Sequence, residues 1–160
     1  MSGTTTRILA GPKMRKRQAS RVLLFNPQGE ILLVRFAIPQ ADGHDFAFWC
    51  APGGEIEEGE TPAEAAHREI VEELGLDLVL EGPLWTDQNK FVHQGELCDN
   101  TDFYFRAKCD RDAPKLIGFT EAELKIMKEI RWWTAEEVSL TNQKIFPVDL
   151  AAWVYKLIPR

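Results

Sequence analysis

Gly53–Leu76 reads GGEIEEGETPAEAAHREIVEELGL, with eight glutamates in twenty-four residues and only His67 and Arg68 on the basic side. Thr61 can cap a helix, Pro62 suits its first position, and Gly75 suits its end. The spacing therefore predicts a helix over Pro62–Leu74. At about 100° per residue, Ala63, Ala66, Ile70 and Leu74 form an apolar stripe that can pack on a sheet. Glu69, Glu72 and Glu73 share another face, because offsets of three and four bring side chains together. Like charges at that spacing repel. Arg68, four residues before Glu72 and next to Glu69, can offset part of the repulsion. The ridge can splay into water, or it can hold a divalent cation such as Mg²⁺, which takes hard oxygen ligands.

Outward from this stretch the chain alternates apolar runs with turn residues. RVLLF (Arg21–Phe25) and ILLVRF (Ile31–Phe36) flank NPQGE and predict a hairpin. FAFWC (Phe46–Cys50) predicts a short strand leading into the glutamate stretch. Further strands are expected in LVLEGPLW, NKFVH, DFYFRAKC and EIRWWT, with TDQ and QGELCDN as turns. The pattern S/T-x-x-E occurs at Thr61/Glu64, Thr120/Glu123 and Thr134/Glu137, and each marks a helix start. A last helix is expected over Pro147–Ile158. The sum is one mixed α/β domain with helices on the faces of its sheet. Residues 1–16 are expected to be a flexible leader and 17–160 a single domain.

Composition narrows the function classes. The 160 residues are 44% hydrophobic, with formal net charge −6 and pI about 5.1. A whole-molecule basic footprint for DNA is absent. Lys13, Arg15, Lys16, Arg17 and Arg21 form one basic cluster, read as a solvated tail and strand edge. Cys50, Cys98 and Cys109 are odd in number and lack C-x-x-C spacing, so a reducing cytoplasm is expected. No apolar run is long enough to span a membrane.

The glutamate stretch resembles the signature of the Nudix hydrolases, G-x5-E-x7-R-E-U-x-E-E-x-G-U, where U is a bulky aliphatic residue. Gly54, Glu60, Arg68, Glu69, Ile70, Glu72, Glu73, Gly75 and Leu76 keep every spacing. Seven fixed residues and two aliphatic ones make a chance match on the order of one in 10⁹ per start position. The resemblance implies an α/β/α sandwich around a mixed β-sheet, and hydrolysis of a diphosphate linkage in a nucleoside diphosphate derivative or nucleoside triphosphate. It implies a site holding Mg²⁺, with Mn²⁺ as a substitute. By position, Gly53 (through its carbonyl), Glu69, Glu72 and Glu73 match the metal ligands. Arg68 matches the arginine that orients the carboxylates, and Gly54 and Glu60 match supporting positions. Glu69 is the first choice for the base that deprotonates the attacking water. The family also uses a glutamate outside the box, for which Glu121, Glu123 and Glu129 are candidates.

The remainder of the substrate is less legible. Phe91, Val92, His93 and Gln94 stand where proline or tyrosine marks two subclasses of the family, so those marks are missing. Trp49, Phe91 and His93 are candidate substrate contacts, weighed against a core role for the aromatics. The expected partner is a small nucleotide-like diphosphate, without DNA or membrane, and a homodimer is compatible with the sequence. Two alternatives stay open: a catalytically weak nucleotide-sensing module, and an RNA 5′-end pyrophosphohydrolase. Glu55, Glu57 and Glu58 receive no role from sequence.

Overall fold

The computed structural model describes residues 14–93, 95–110 and 121–159, without the side chains of residues 93, 122 and 123. Eight strands form one mixed sheet: β1 (Met14–Phe25), β2 (Ile31–Pro39), β3 (Asp45–Cys50), β4 (Gly53–Glu55), β5 (Glu81–His93), β6 (Glu96–Lys108), β7 (Met127–Trp133) and β8 (Ile145–Phe146). Among the described residues four helices accompany them: α1 (Pro62–Leu74), α2 (Glu121–Ile126), α3 (Ala135–Leu140) and α4 (Leu150–Leu157). The main path runs β5-β6-β1-β2-β3-β8, with β4 on β1 and β7 on β2. The β1–β6 and β3–β8 pairs are parallel and the rest antiparallel.

Strand alternation sorts the core onto two faces. Leu23 and Phe25 of β1, Ile31 and Leu33 of β2, Trp49, Tyr104 and Trp133 pack beneath α3 and α4. Val22, Leu24, Leu32, Phe105 and Ala107 pack beneath Ala66, Ile70 and Leu74 of α1. The result is the expected α/β/α layering. The sheet opens in the middle. β1 meets β2 at Phe25↔Ile31 and then pairs with β4 from Arg21↔Gly53 to Ala19↔Glu55. β2 meanwhile turns to β3 from Val34 onwards. Residues Ala51–Gly54 lie in this opening, and they lead into the glutamate stretch.

Several expectations change. β1 begins at Met14, so residues 14–16, expected in a flexible leader, are strand; residues 1–13 lie outside the described residues. TDQ sits inside β5, and β6 begins at Glu96 within QGELCDN. These polar residues are strand residues because their side chains meet partners across the sheet. Arg17 Nη1 donates to Asn100 Oδ1 at 2.8 Å and Asn100 Nδ2 to Asn89 Oδ1 at 3.5 Å. The basic cluster is likewise paired in part: Arg15 Nη2 lies 2.6 Å from Glu55 Oε1 and Arg17 Nε 3.9 Å from Glu55 Oε2. Thr120 and the Glu123 side chain lie outside the described residues, so that capping box does too. The other two form as expected, at Thr61/Glu64 and Thr134/Glu137. The last helix starts at Leu150 rather than Pro147.

Candidate active site

The segment Ala51–Thr61 is tied to β1 at several points. Val22 N donates to Pro52 O at 2.9 Å, Ile56 N to Gln18 O at 2.9 Å, and Arg21 Nη1 to Ala51 O at 3.4 Å. Ser20 Oγ donates to Pro62 O at 2.7 Å and so fixes the start of α1 against the strand. Gly53 has φ 149°, and a Cβ there would overlap the Ser20 carbonyl oxygen. Backbone approaches backbone too closely for any other residue. The capping box of Thr61 and Glu64 satisfies two free amides at the helix start.

The helix is rotated relative to the expected stripe. Ala65 is buried with Ala66, Ile70 and Leu74, while Ala63 is exposed. The rotation carries Glu73 inwards, where it is 4% exposed. The three ridge carboxylates therefore stand in three environments. Glu72 has a side chain 55% exposed, Glu69 one 13% exposed, and Glu73 is buried. Glu73 lines a small cavity of about 20 Å³ with Arg21, Val34, Phe36 and Gly53, room for about one water molecule.

Arg68 organises the surface of this site. Its Nε donates to Glu60 Oε2 at 2.7 Å and its Nη2 to Glu60 Oε1 at 2.9 Å. The planar fork matches a carboxylate in this way. Nη1 then donates to Glu69 Oε1 at 3.0 Å and Glu72 Oε2 at 3.2 Å, and Nη2 also reaches Glu55 O at 3.2 Å. One guanidinium thus bridges two ridge carboxylates and anchors itself on the loop. The hydrogen bond from Arg68, and next the Glu57 amide at 2.9 Å, hold the Glu60 carboxyl below the usual carboxylate range. The Glu60 pair in turn raises Arg68. Glu57, without a role in the sequence reading, helps hold Glu60, and Glu55 pairs with Arg15. Glu64 caps.

The arrangement is not a closed metal cage. Among the described residues no three carboxylate, histidine or cysteine side chains converge as ligands on one point. Glu69 and Glu72 turn to Arg68 instead. The donor set nevertheless fits a hard divalent cation, since it offers carboxylate oxygens beside loop carbonyls. The packing of Gly54 also shows a cradle: a Cβ there would stand 2.5 Å from Glu69 Oε1.

The other sequence candidates are scattered. Trp49 is 2% exposed, in the core beside Trp133, with Nε1 donating to Gln143 Oε1 at 2.8 Å. Alternation on β3 turns it to the α4 face, which corrects its reading as an accessible substrate contact. Phe91 lies opposite Cys98, on the same face as Tyr104 and away from α1, beneath the Arg17 guanidinium at 5.9 Å. Glu129 pairs with Arg35 across β2 and β7, on the face away from α1. Glu121 is exposed at the start of α2. The His93 and Glu123 side chains lie outside the described residues. Sequence reasoning missed Arg21, which lines the cavity with Glu73. Its signal was present: a charged residue at the start of an apolar strand run.

The comparisons with known proteins agree with this geometry. The NUDIX domain model matches residues 15–154. An RNA pyrophosphohydrolase of Psychrobacter sp. (strain PRwf-1) is 44% identical over 55 residues, covering 34% of this chain and 28% of that protein. A putative 8-oxo-dGTP diphosphatase of Bacillus subtilis (strain 168) is 36% identical over 81 residues, half of each chain. The chain thus spans half or less of the length of these relatives. Two solved structures share the fold. The MutT protein from Methanosarcina mazei Go1 has TM-score 0.62 and 20% identity, covering 91% of this chain and 95% of that one. The E. coli dihydroneopterin triphosphate pyrophosphohydrolase has TM-score 0.62 and 22% identity, covering 91% and 98%. With its box, its layered sheet and a family match over nearly its whole length, the chain belongs to the NUDIX domain family.

Proposed function

We propose that the protein hydrolyses a diphosphate linkage in a nucleoside triphosphate or a nucleoside diphosphate derivative, by attack of water on phosphorus. One observation carries this reading: Arg68 is locked on Glu60 and holds Glu69 and Glu72 side by side. Without a counter-charge, carboxylates so placed would repel a diphosphate. Mg²⁺, for which Mn²⁺ can substitute, would be held by Glu69, Glu72, Glu73 and the Gly53 carbonyl. When bound it neutralises phosphate oxygens and lowers the pKa of water. The chain's own part is positional. Arg68 fixes the carboxylates and Glu60 fixes Arg68. Glu69 receives the proton of the attacking water.

The names of the relatives support pyrophosphate chemistry and differ in substrate. A screen settles the class: nucleoside di- and triphosphates, nucleotide sugars, dinucleotides and 5′-triphosphorylated RNA, each with Mg²⁺, Mn²⁺ or chelator. Metal-dependent release of phosphate or pyrophosphate from a small nucleotide is the expected result. Turnover of the RNA alone would favour an RNA 5′-end pyrophosphohydrolase, a reading weakened by the pairing of Arg15 and Arg17 with Glu55. Nucleotide binding without turnover of any diphosphate would favour a sensing module. The expected setting is cytoplasmic; among the described residues no helix is long and apolar enough to cross a membrane.

A further inference from the structure

The side chains of β2 that line the Glu73 cavity continue beyond it as a row of aromatic rings. Val34 and Phe36 share the cavity with Gly53 and Glu73. Phe36 lies directly across from Phe48 on β3, and Ile38 across from Phe46. Phe146 follows on β8, beside Cys50. Ring centroids are 5.8 Å apart for Phe36 and Phe48, 5.5 Å for Phe46 and Phe48, and 5.6 Å for Phe48 and Phe146. None of the four rings belongs to either core cluster. Three are partly exposed and Phe146 is 40% exposed. Lys144 Nζ stands 5.9 Å from the centre of the Phe46 ring. The row is thus an aromatic surface, with positive charge at its rim, that begins at the carboxylate site.

We propose that this surface holds the aromatic base of the substrate by stacking, an inference that rests on the hydrolase reading above. The occupant follows from continuity. Phe36 belongs both to the cavity of Glu73 and to the ring row, so a diphosphate at the carboxylates leaves its nucleoside beside Phe36. Stacking accepts the π-face of any base, so the surface selects nucleotides over bare polyphosphates without reading a base edge. Phe36, Phe46, Phe48 and Phe146 are then specificity residues.

Phe48→Leu and Phe146→Leu keep apolar volume and remove the ring. KM is measured for a nucleoside triphosphate and for inorganic tripolyphosphate, which has no base. The expected result is a KM raised about tenfold for the nucleotide alone, with kcat kept. An unchanged nucleotide KM, or an equal rise for both substrates, overturns the proposal. So does sedimentation in which Phe146→Leu dissociates a dimer while KM stays the same, since the surface then joins two copies of the chain. If the wild type hydrolyses nothing, the hydrolase reading falls by itself. NMR titration with a nucleoside monophosphate then decides the surface: shifts of the Phe46, Phe48 and Phe146 ring protons uphold it, and their absence overturns it.

Discussion

Arg68 grips Glu60 with two parallel hydrogen bonds of 2.7 and 2.9 Å, across eight residues of sequence. The pair joins the loop before α1 to the helix itself. Everything else Arg68 does, including its contacts to Glu69 and Glu72, is done from this anchor.

Arg68→Lys keeps the charge and loses the fork, since an ammonium cannot bond both oxygens of Glu60 while reaching Glu69 and Glu72. The expected outcome is a fall in kcat of about ten- to a hundredfold, with far-UV circular dichroism unchanged. Loss of fold would show that Arg68 serves stability first.

The same pair makes a pH prediction. The Glu60 carboxyl titrates below its ordinary 4.5 in the folded protein. Its contribution to stability is therefore complete above that ordinary value and is lost as pH falls through the depressed one. Melting temperatures of the wild type and Glu60→Gln should differ by a constant amount from pH 7 to 5. The difference should shrink at lower pH. A gap that persists undiminished to pH 3 would rule this linkage out.

Two adjacent glycines should fail differently. At Gly53 an added Cβ meets the Ser20 carbonyl, a backbone atom that cannot step aside. Gly53→Ala should cost several kcal/mol of stability, at about 1–3 kcal/mol for the strained backbone plus the clash. At Gly54 the added Cβ meets the Glu69 carboxylate, which can rotate away. Gly54→Ala should lower kcat with little change in melting temperature. Chemical denaturation beside steady-state kinetics checks both, and an equal loss of stability would refute the distinction.

Trp49 is predicted to matter for folding rather than for substrate. Trp49→Ala empties a packed site beside Trp133 and should cost about 3–5 kcal/mol, read by denaturant titration. A raised KM at unchanged stability would restore the sequence reading of Trp49 as a substrate contact.

The box was legible because spacing alone set it: Thr61, Pro62 and Gly75 bound the helix, and Arg68 met Glu72 as an offset of four allows. Its rotation was not legible. Whether Ala63 or Ala65 faces the sheet depends on the tether from Ser20 to Pro62, a tertiary contact across 42 residues. Glu73 went inwards for the same reason. The strands at TDQ and QGELCDN were misread because polar side chains marked turns. Here Asn89, Asn100 and Arg17 find partners on neighbouring strands, and a single chain segment cannot show a pairing with another. Trp49 was ambiguous in FAFWC, since alternation gives two faces without saying which is buried.

If the carboxylate ridge held by Arg68 performs diphosphate hydrolysis, removing the Glu69 carboxylate should abolish most of the turnover. The measurement is the kcat of Glu69→Gln with Mg²⁺, on the best nucleotide from the screen, for protein whose melting temperature matches the wild type. The expected loss is about 10²- to 10⁴-fold, the usual worth of a positioned base. A kcat within twofold of the wild type would contradict it.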